Sequence, residues 1–132
     1  MLDLTSLEKA LFSLEQAITR SQREPTDQEV RDSVIQRFEY SYELSWKMLK
    51  RQLEIDSPSP VSIDAMSFKE MIREAAERGL VDNPTAWFEY RHQRNLTSHT
   101  YNEAKAQQVY ETAVMFIQDA KNLLHHLKQK NV

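Results

Sequence analysis

The 132-residue sequence contains no cysteine and only one glycine, Gly79. Without cysteine it can form neither a disulfide framework nor a thiolate metal site. Hairpins and bulges of a β-sheet need residues that tolerate positive φ, so a single glycine argues strongly against an all-β fold. The glycine-rich fingerprints of Rossmann and P-loop nucleotide sites cannot be written with one glycine either. The composition therefore favours a helical protein.

Long hydrophobic runs and a strong charge of one sign are also absent. No apolar stretch approaches the length of a membrane span. Asp3, Glu8 and Lys9 make the N-terminal segment unlike a signal peptide. We therefore expect a cytoplasmic protein without a membrane partner. The formal net charge of −3 predicts no bulk attraction to nucleic acid, and the length predicts one domain over residues 1–132.

Apolar residues recur at helical spacing in three long segments and one short segment. A further long helix is predicted to begin at Asn83-Pro84, where Trp87 and Phe88 precede a mostly polar run. The pattern predicts an all-α, antiparallel up-and-down four-helix bundle with an additional short helix. Gly79 is predicted to cap the short helix in the left-handed conformation, and the connection from Asp56 to Ser67 is predicted to be a loop. The helix starts are predicted from capping boxes and one Asn-Pro pair, at Thr5–Glu8, Thr26–Glu29, Ser67–Glu70, Asn83-Pro84 and Thr100–Glu103.

The last helix carries two apolar stripes, which is more than one core-facing seam needs. The second stripe consists of Tyr110, Ile117 and Leu124. It predicts either a dimer surface or a broad contact with the chain's own core, and the pattern alone does not choose between them.

Several other conspicuous residues have simple structural interpretations. Trp46 and Trp87 lie on apolar stripes and are predicted to be packing anchors, with base-stacking platforms as the less favoured alternative. The Met66–Met71 region is predicted to fill gaps in the core and not to form a binding groove. Glu39 and Glu43 precede Lys47 at helical spacing, which predicts charge pairs on an outer face. His125-His126 lacks a second ligand pair at metal-site spacing, so we expect a frayed helix end and no metal.

The segment from Tyr90 to Asn102 contains no acidic residue but holds Arg91, His92, Arg94 and His99. It is a small basic island in an acidic chain. A helix start near Thr100 would add free N–H groups, so the segment is a candidate phosphate site. An Arg–His pair at this spacing is a weak signal by itself, because about one is expected by chance. The alternative is a solvated helix end with His99 packed at a junction.

Helix geometry constrains how such a site can work. Residues five apart on an α-helix point roughly 140° from each other, so Arg94 and His99 cannot share one face of a regular helix. They can meet one phosphate only if the helix ends or bulges near Ser98, or if two protomers combine their residues. We therefore predict an irregular or π-like turn between Asn95 and Thr100.

Three segments together resemble a known family. Arg94–Tyr101, with the sequence RNLTSHTY, resembles the Arg-x4-His-x-Tyr signature of HEPN domains. Gln36–Lys47 is similar to the second helix of the HEPN subfamily called nucleotidyltransferase substrate-binding proteins or HepT-like toxins. Ile72–Leu80 and Trp87 also fit this subfamily, so the resemblance covers nearly the whole chain. The segment Asp56–Met66 departs from the pattern, because it is richer in proline and serine.

The resemblance implies a homodimeric helical bundle whose two motifs face one cleft, paired with a minimal nucleotidyltransferase antitoxin. It implies a metal-independent ribonuclease without cofactors, acting on RNA. His99 would be the acid–base group, Arg94 would stabilise charge on the phosphorane, and Asn95 would orient the substrate or the histidine. Tyr101 would match the tyrosine that the partner modifies with AMP. Arg91 and Ser98 are further candidates for substrate binding.

Two other functions are compatible with the same residues. The chain could be a non-catalytic subunit that binds nucleotide or substrate for a separate nucleotidyltransferase, with Arg91 and Arg94 on phosphate and His99 structural. It could also be a plain dimeric helical scaffold. Binding of nucleotide without RNA cleavage would distinguish the first alternative from a nuclease.

Overall fold

The computed structural model describes residues 1–132 as six α-helices and one 3-10 turn, without a β-strand. This confirms the predicted all-α fold of four longer helices and one short helix, and it adds a further helix of five residues that was not predicted. The chain has no helix with an apolar stretch long enough to cross a bilayer. The helices are α1 (Thr5–Arg23), α2 (Gln28–Asp56), α3 (Pro60–Asp64), α4 (Phe68–Glu77), α5 (Pro84–Asn95) and α6 (Glu103–Lys130), and the 3-10 turn is Thr97–His99.

Side-chain pairs between helices establish the direction of the bundle. Helices α1 and α6 run antiparallel, because Glu8 of α1 pairs with Lys128 of α6 and Glu15 with Lys121. The α1–α2 pair is also antiparallel, because Ser41 donates to the Ala10 carbonyl and Arg37 to that of Ser13. Between α5 and α6, Tyr90 bonds to Asp119, and Asp82, just before α5, pairs with His126. These directions confirm the up-and-down order of α1, α2, α5 and α6.

The centre of the bundle is an aromatic cluster around Phe116 of α6. Its ring lies 5.2 Å from Phe38 and 6.4 Å from Tyr42 on α2. It lies 5.6 Å from Trp87 and 5.1 Å from Tyr90 on α5, both at steep interplanar angles. Edge-to-face pairs of this kind add about 0.5–1.5 kcal/mol each beyond the burial of area. The cluster therefore fixes α5 against α2 and α6, and it confirms Trp87 as a packing anchor.

The second stripe of α6 packs against the chain's own core. Tyr110, Ile117 and Leu124 are half-buried and contact the central cluster of apolar residues. The Tyr110 hydroxyl lies 2.7 Å from the Ser21 hydroxyl of α1. Of the two alternatives for this stripe, the structure favours contact with the core.

The predicted capping residues are correct at two helix starts and wrong at three. Ser67 and Glu70 form the reciprocal capping box, and Asn83 caps α5. The boxes at Thr5, Thr26 and Thr100 do not form: α1 begins without a side-chain cap, and Asp27 and Asn102 cap α2 and α6. Short Asp and Asn side chains are at least as good acceptors as threonine, and here they lie nearer to the first helical turn.

The segment between α2 and α4 is not simply a loop. Pro60–Asp64 forms α3, with Pro60 at its start and Ile63 fully buried. Proline suits the first turn of a helix, where its missing N–H is not needed. Lys50 of α2 bonds to Asp64 at 3.0 Å. That contact raises the pKa of Lys50 and lowers the pKa of Asp64, so the pair stays ionised around neutral pH.

Gly79 adopts φ of +77°, which confirms the predicted left-handed cap. The Leu80 N–H donates to the Ala75 carbonyl at 2.9 Å, and Leu80 and Val81 are buried behind the turn. A Cβ at residue 79 would meet no neighbouring atom within 4 Å. A side chain at residue 79 would therefore be disfavoured by the positive φ alone and not by a steric clash.

We expect Gly79→Ala to lower the free energy of unfolding by about 1 kcal/mol, because an L-residue is strained at this φ. Gly79→Asn should lose less, since asparagine tolerates the left-handed region. Chemical denaturation monitored by circular dichroism measures both changes. Equal stability of the alanine variant and the parent protein would contradict the argument.

Candidate functional site

The Arg-x4-His-x-Tyr segment lies where α5 ends and the chain turns towards α6. The helix stops at Asn95, and Thr97–His99 forms the 3-10 turn. The Thr97 hydroxyl donates to the Arg94 carbonyl at 2.8 Å, in place of a continuing helical N–H. This confirms the predicted break between Asn95 and Thr100, but the turn is a tight 3-10 turn and not π-like.

Arg94 is half-buried and pairs with two carboxylates of α2. Its Nε donates to Glu43 Oε1 at 2.6 Å, and its Nη2 lies 3.6 Å from Glu39 Oε1. The predicted outer-face pairing of these glutamates with Lys47 is therefore wrong. Helical spacing showed which residues share a face, but not that this face lies opposite α5. The basic island receives its counter-charges from another helix.

The other half of the motif is exposed on the turn. Ser98 and His99 face solvent, and Tyr101 is 86% exposed. The His99 and Tyr101 rings lie 6.3 Å apart at an angle of 68°. No hydrogen bond joins either ring to Arg94. Within one chain, the structure thus places Arg94 against α2 and leaves His99 and Tyr101 open to a partner or substrate.

A cleft of about 500 Å³ opens beside Arg94, among α2, α3, α4 and α5. Sequence reasoning did not find it, because α3 was predicted to be loop and residues 66–71 to be core. Met71 is buried, but Met66 and Trp46 are only half-buried, and all three line the cleft. The prediction that the Met66–Met71 region forms no groove is therefore wrong. The full lining consists of Tyr42, Glu43, Trp46, Lys50, Ile63, Asp64, Met66, Ser67, Phe68, Met71, Arg91, Arg94 and Asn95.

The three cations of the cleft differ in their partners. Lys50 pairs with Asp64 and Arg94 with Glu43. The Arg91 guanidinium instead lies over the ring of Phe68, 4.5 Å from its centroid, without a carboxylate partner. Arg91 is therefore the cation of the cleft that is most available to an anion.

The phenols of the core are unsuited to acid–base work. Burial raises the pKa of Tyr42 well above its ordinary value. Burial and a hydrogen bond to the Asp119 carboxylate raise the pKa of Tyr90 in the same way. Both remain protonated near neutral pH. Tyr101, which is exposed and makes no hydrogen bond, is the chemically accessible tyrosine of this region.

The histidine pair near the C-terminus is ordered within α6, which continues to Lys130, so the predicted frayed end is wrong. His126 Nε2 lies 3.1 Å from Asp82 Oδ1, and this contact ties α6 to the start of α5. No group of three or more His, Asp or Glu side chains is arranged to hold a metal ion.

The fold and the motif define an up-and-down helical bundle with an Arg-x4-His-x-Tyr segment at a helix break. The model of the family described as nucleotidyltransferase substrate binding protein like matches residues 2–129, and the chain belongs to this family. The chain is 41% identical to the probable ribonuclease HepT of Haemophilus influenzae, over 98% of this chain and 94% of that protein.

Solved structures agree with this assignment. The fold of a substrate-binding domain of a nucleotidyltransferase from Haemophilus influenzae superposes with a TM-score of 0.90, at 38% identity, over 96% of this chain and 99% of that one. A structure from Thermus thermophilus matches with a TM-score of 0.76, at 29% identity, over 92% of this chain and 98% of that one.

Accessibility of the tyrosines gives a direct test of the site. Tetranitromethane should nitrate Tyr101 first and Tyr42 and Tyr90 last, because the reagent needs an accessible phenolate and burial raises the pKa of the latter two. Peptide mass spectrometry after short exposures measures the order. The early adduct should vanish in Tyr101→Phe, and early nitration of Tyr42 would contradict the placement.

Proposed function

We propose that this protein is a HepT-like ribonuclease, the toxin of a two-component system whose antitoxin is a minimal nucleotidyltransferase. The main support is the 41% identity to a protein named probable ribonuclease HepT, over nearly the whole chain. The intact Arg94, His99 and Tyr101 set at an exposed helix break supports the same proposal.

The chemistry we propose is metal-independent cleavage of an RNA phosphodiester. A histidine takes and gives protons around neutral pH, so His99 can serve the ribose 2′-hydroxyl or the leaving oxygen. An arginine is suited to the charge of a phosphorane, which is the role we assign to Arg94. Asn95 orients the substrate or the histidine, and Ser98 contributes to substrate binding.

Cleavage of RNA in the presence of EDTA tests this proposal. The parent protein should cut, and His99→Ala should lose at least about 100-fold in rate, since a general acid–base group contributes that much or more. His125→Ala is the matched control, because His125 is also an exposed histidine but lies on α6. A parent protein that is inert, or a His99→Ala variant that cuts equally well, would overturn the proposal.

We further propose that the active site is composite and combines the motifs of two protomers in a homodimer. The support is that Arg94 is held against α2, whereas His99 is exposed and makes no hydrogen bond to it. An exposed acid–base group that faces a symmetric partner can meet the arginine of that partner.

Mixed dimers distinguish a composite site from a site within one chain. Homodimers of Arg94→Ala and of His99→Ala should each be inactive. If each site takes Arg94 from one protomer and His99 from the other, a mixed dimer of the two variants keeps one intact site. The purified mixed dimer should have up to about half of the parent activity, because one of its two composite sites is intact. Co-expression with two affinity tags, followed by the cleavage assay, measures this. No restoration in the purified mixed dimer would contradict the composite site.

Tyr101 is the proposed acceptor of AMP from the partner nucleotidyltransferase. It is 86% exposed and lies two residues from His99, with its ring 6.3 Å from the histidine ring. A charged, bulky adduct there would block the site, which is how an antitoxin of this kind would silence the nuclease.

The alternative proposal is a non-catalytic subunit that holds nucleotide or substrate for a separate nucleotidyltransferase. The family description and the cleft beside Arg91 and Arg94 support it. It predicts a stable complex with the partner and nucleotide binding without RNA cleavage, so the EDTA assay above separates it from the ribonuclease.

A further inference from the structure

The cleft combines an aromatic, apolar wall with a cationic rim. Trp46 and Phe68 are half-buried side chains that keep part of their rings open. Ile63, Met66 and Met71 complete the apolar wall. Sites that bind small molecules are typically concave, and 500 Å³ lies within their usual range. Polar and apolar residues line this cleft in nearly equal numbers, with the apolar side chains gathered on one wall.

Arg91 supplies an anion-binding group at the edge of this wall. Its guanidinium lies 4.5 Å over the ring of Phe68 and makes no hydrogen bond within the chain. A planar cation stacked on a ring is pre-positioned and loses less side-chain freedom when it binds a phosphate. The other two cations, Lys50 and Arg94, are already paired with carboxylates.

An aromatic wall beside a free guanidinium matches one nucleotide unit, a flat base joined to a phosphate. Asn95 adds an exposed amide at the rim, which can donate to a carbonyl of a base and accept from one of its N–H groups. A base can enter such a cleft only if it is unstacked and unpaired, because the bases of an A-form duplex are not accessible to side chains in this way.

Arg94 and Asn95 belong both to the cleft and to the motif, since α5 ends at Asn95 just before the 3-10 turn. A nucleotide in the cleft therefore has the motif as its immediate neighbour. We propose that the cleft is a base-binding subsite that takes one unpaired nucleobase of a single-stranded RNA, stacked on Trp46 with its phosphate on Arg91. The RNA identity of this ligand rests on the proposed ribonuclease function.

Intrinsic fluorescence can report on this subsite, because the chain has only two tryptophans. Trp46 lines the cleft, whereas Trp87 is fully buried in the core. In the His99→Ala variant with EDTA, binding of a fluorescently labelled single-stranded RNA 10-mer should raise the anisotropy of the label. The same binding should quench the tryptophan emission of the protein. The same 10-mer in a blunt duplex should bind at least about tenfold more weakly. Trp46→Phe should abolish the quenching.

Affinity variants with a matched control complete the test. Trp46→Leu should weaken binding of the 10-mer roughly 5- to 100-fold, as expected for loss of one stacked base. Arg91→Gln, an exposed change that spares the core, should weaken it about tenfold. Arg73→Gln should have no effect, because Arg73 lies over the ring of Phe88, at 5.8 Å, outside the cleft.

The outcomes separate the subsite from the ribonuclease. Binding without quenching, equal binding of the duplex, or equal effects of Arg91→Gln and Arg73→Gln would overturn the subsite even if the parent protein cleaves RNA. Quenching and Arg91 dependence without any cleavage by the parent protein would retain the nucleotide subsite and overturn the ribonuclease. Neither binding nor cleavage would overturn both.

Discussion

The packing of α5 against Phe116 is the constraint on which the rest of the site depends. The Phe116 ring contacts Trp87 and Tyr90 on one side and Phe38 and Tyr42 on the other. Because successive turns of a helix share a face, fixing residues 87 and 90 in the core also fixes where residues 91 and 94 lie. Arg91 and Arg94 consequently border the cleft next to α2. The aromatic core thus sets the position of the cations that we propose to bind phosphate.

The end of α5 is equally important, because it divides the motif between two environments. Arg94 is held against α2 by its carboxylate partners, and from Thr97 onwards the chain forms a short turn that leaves His99 and Tyr101 exposed. A rigid arginine and an exposed histidine suit an active site completed by a second copy of the chain. The exposed tyrosine also suits modification by another enzyme, since such a residue can be reached without unfolding.

Much of this arrangement follows from the sequence, but the parts that depend on contacts between helices do not. Periodicity predicts three of the four long helices, Gly79 predicts the cap of α4, and the spacing of Arg94 and His99 predicts the break after α5. Helical spacing pairs Glu43 with Lys47, which is wrong because periodicity reports a shared face and not what packs against it. The cleft escapes sequence reasoning because it requires α3, whose five residues are too few to show helical periodicity. The cap of α6 is predicted at Thr100 and found at Asn102, because asparagine and threonine are both good acceptors.

The charges around Arg94 bear more directly on phosphate binding than the net charge of the chain does. A net charge of −3 argues against loose binding of RNA over the whole surface, and Glu39 and Glu43 reduce even the local excess around Arg94. A guanidinium has five N–H donors, however, and the bond to Glu43 occupies the one on Nε. The Glu43 carboxylate therefore orients the arginine and leaves the donors of Nη1 for a phosphate, whereas Nη2 faces Glu39 at 3.6 Å. In the proposed reaction, an Arg94 that is already paired with carboxylates binds the ground-state phosphodiester weakly. Its interaction with the phosphate becomes stronger as further negative charge develops on the phosphorane. Stronger binding of the transition state than of the ground state lowers the reaction barrier.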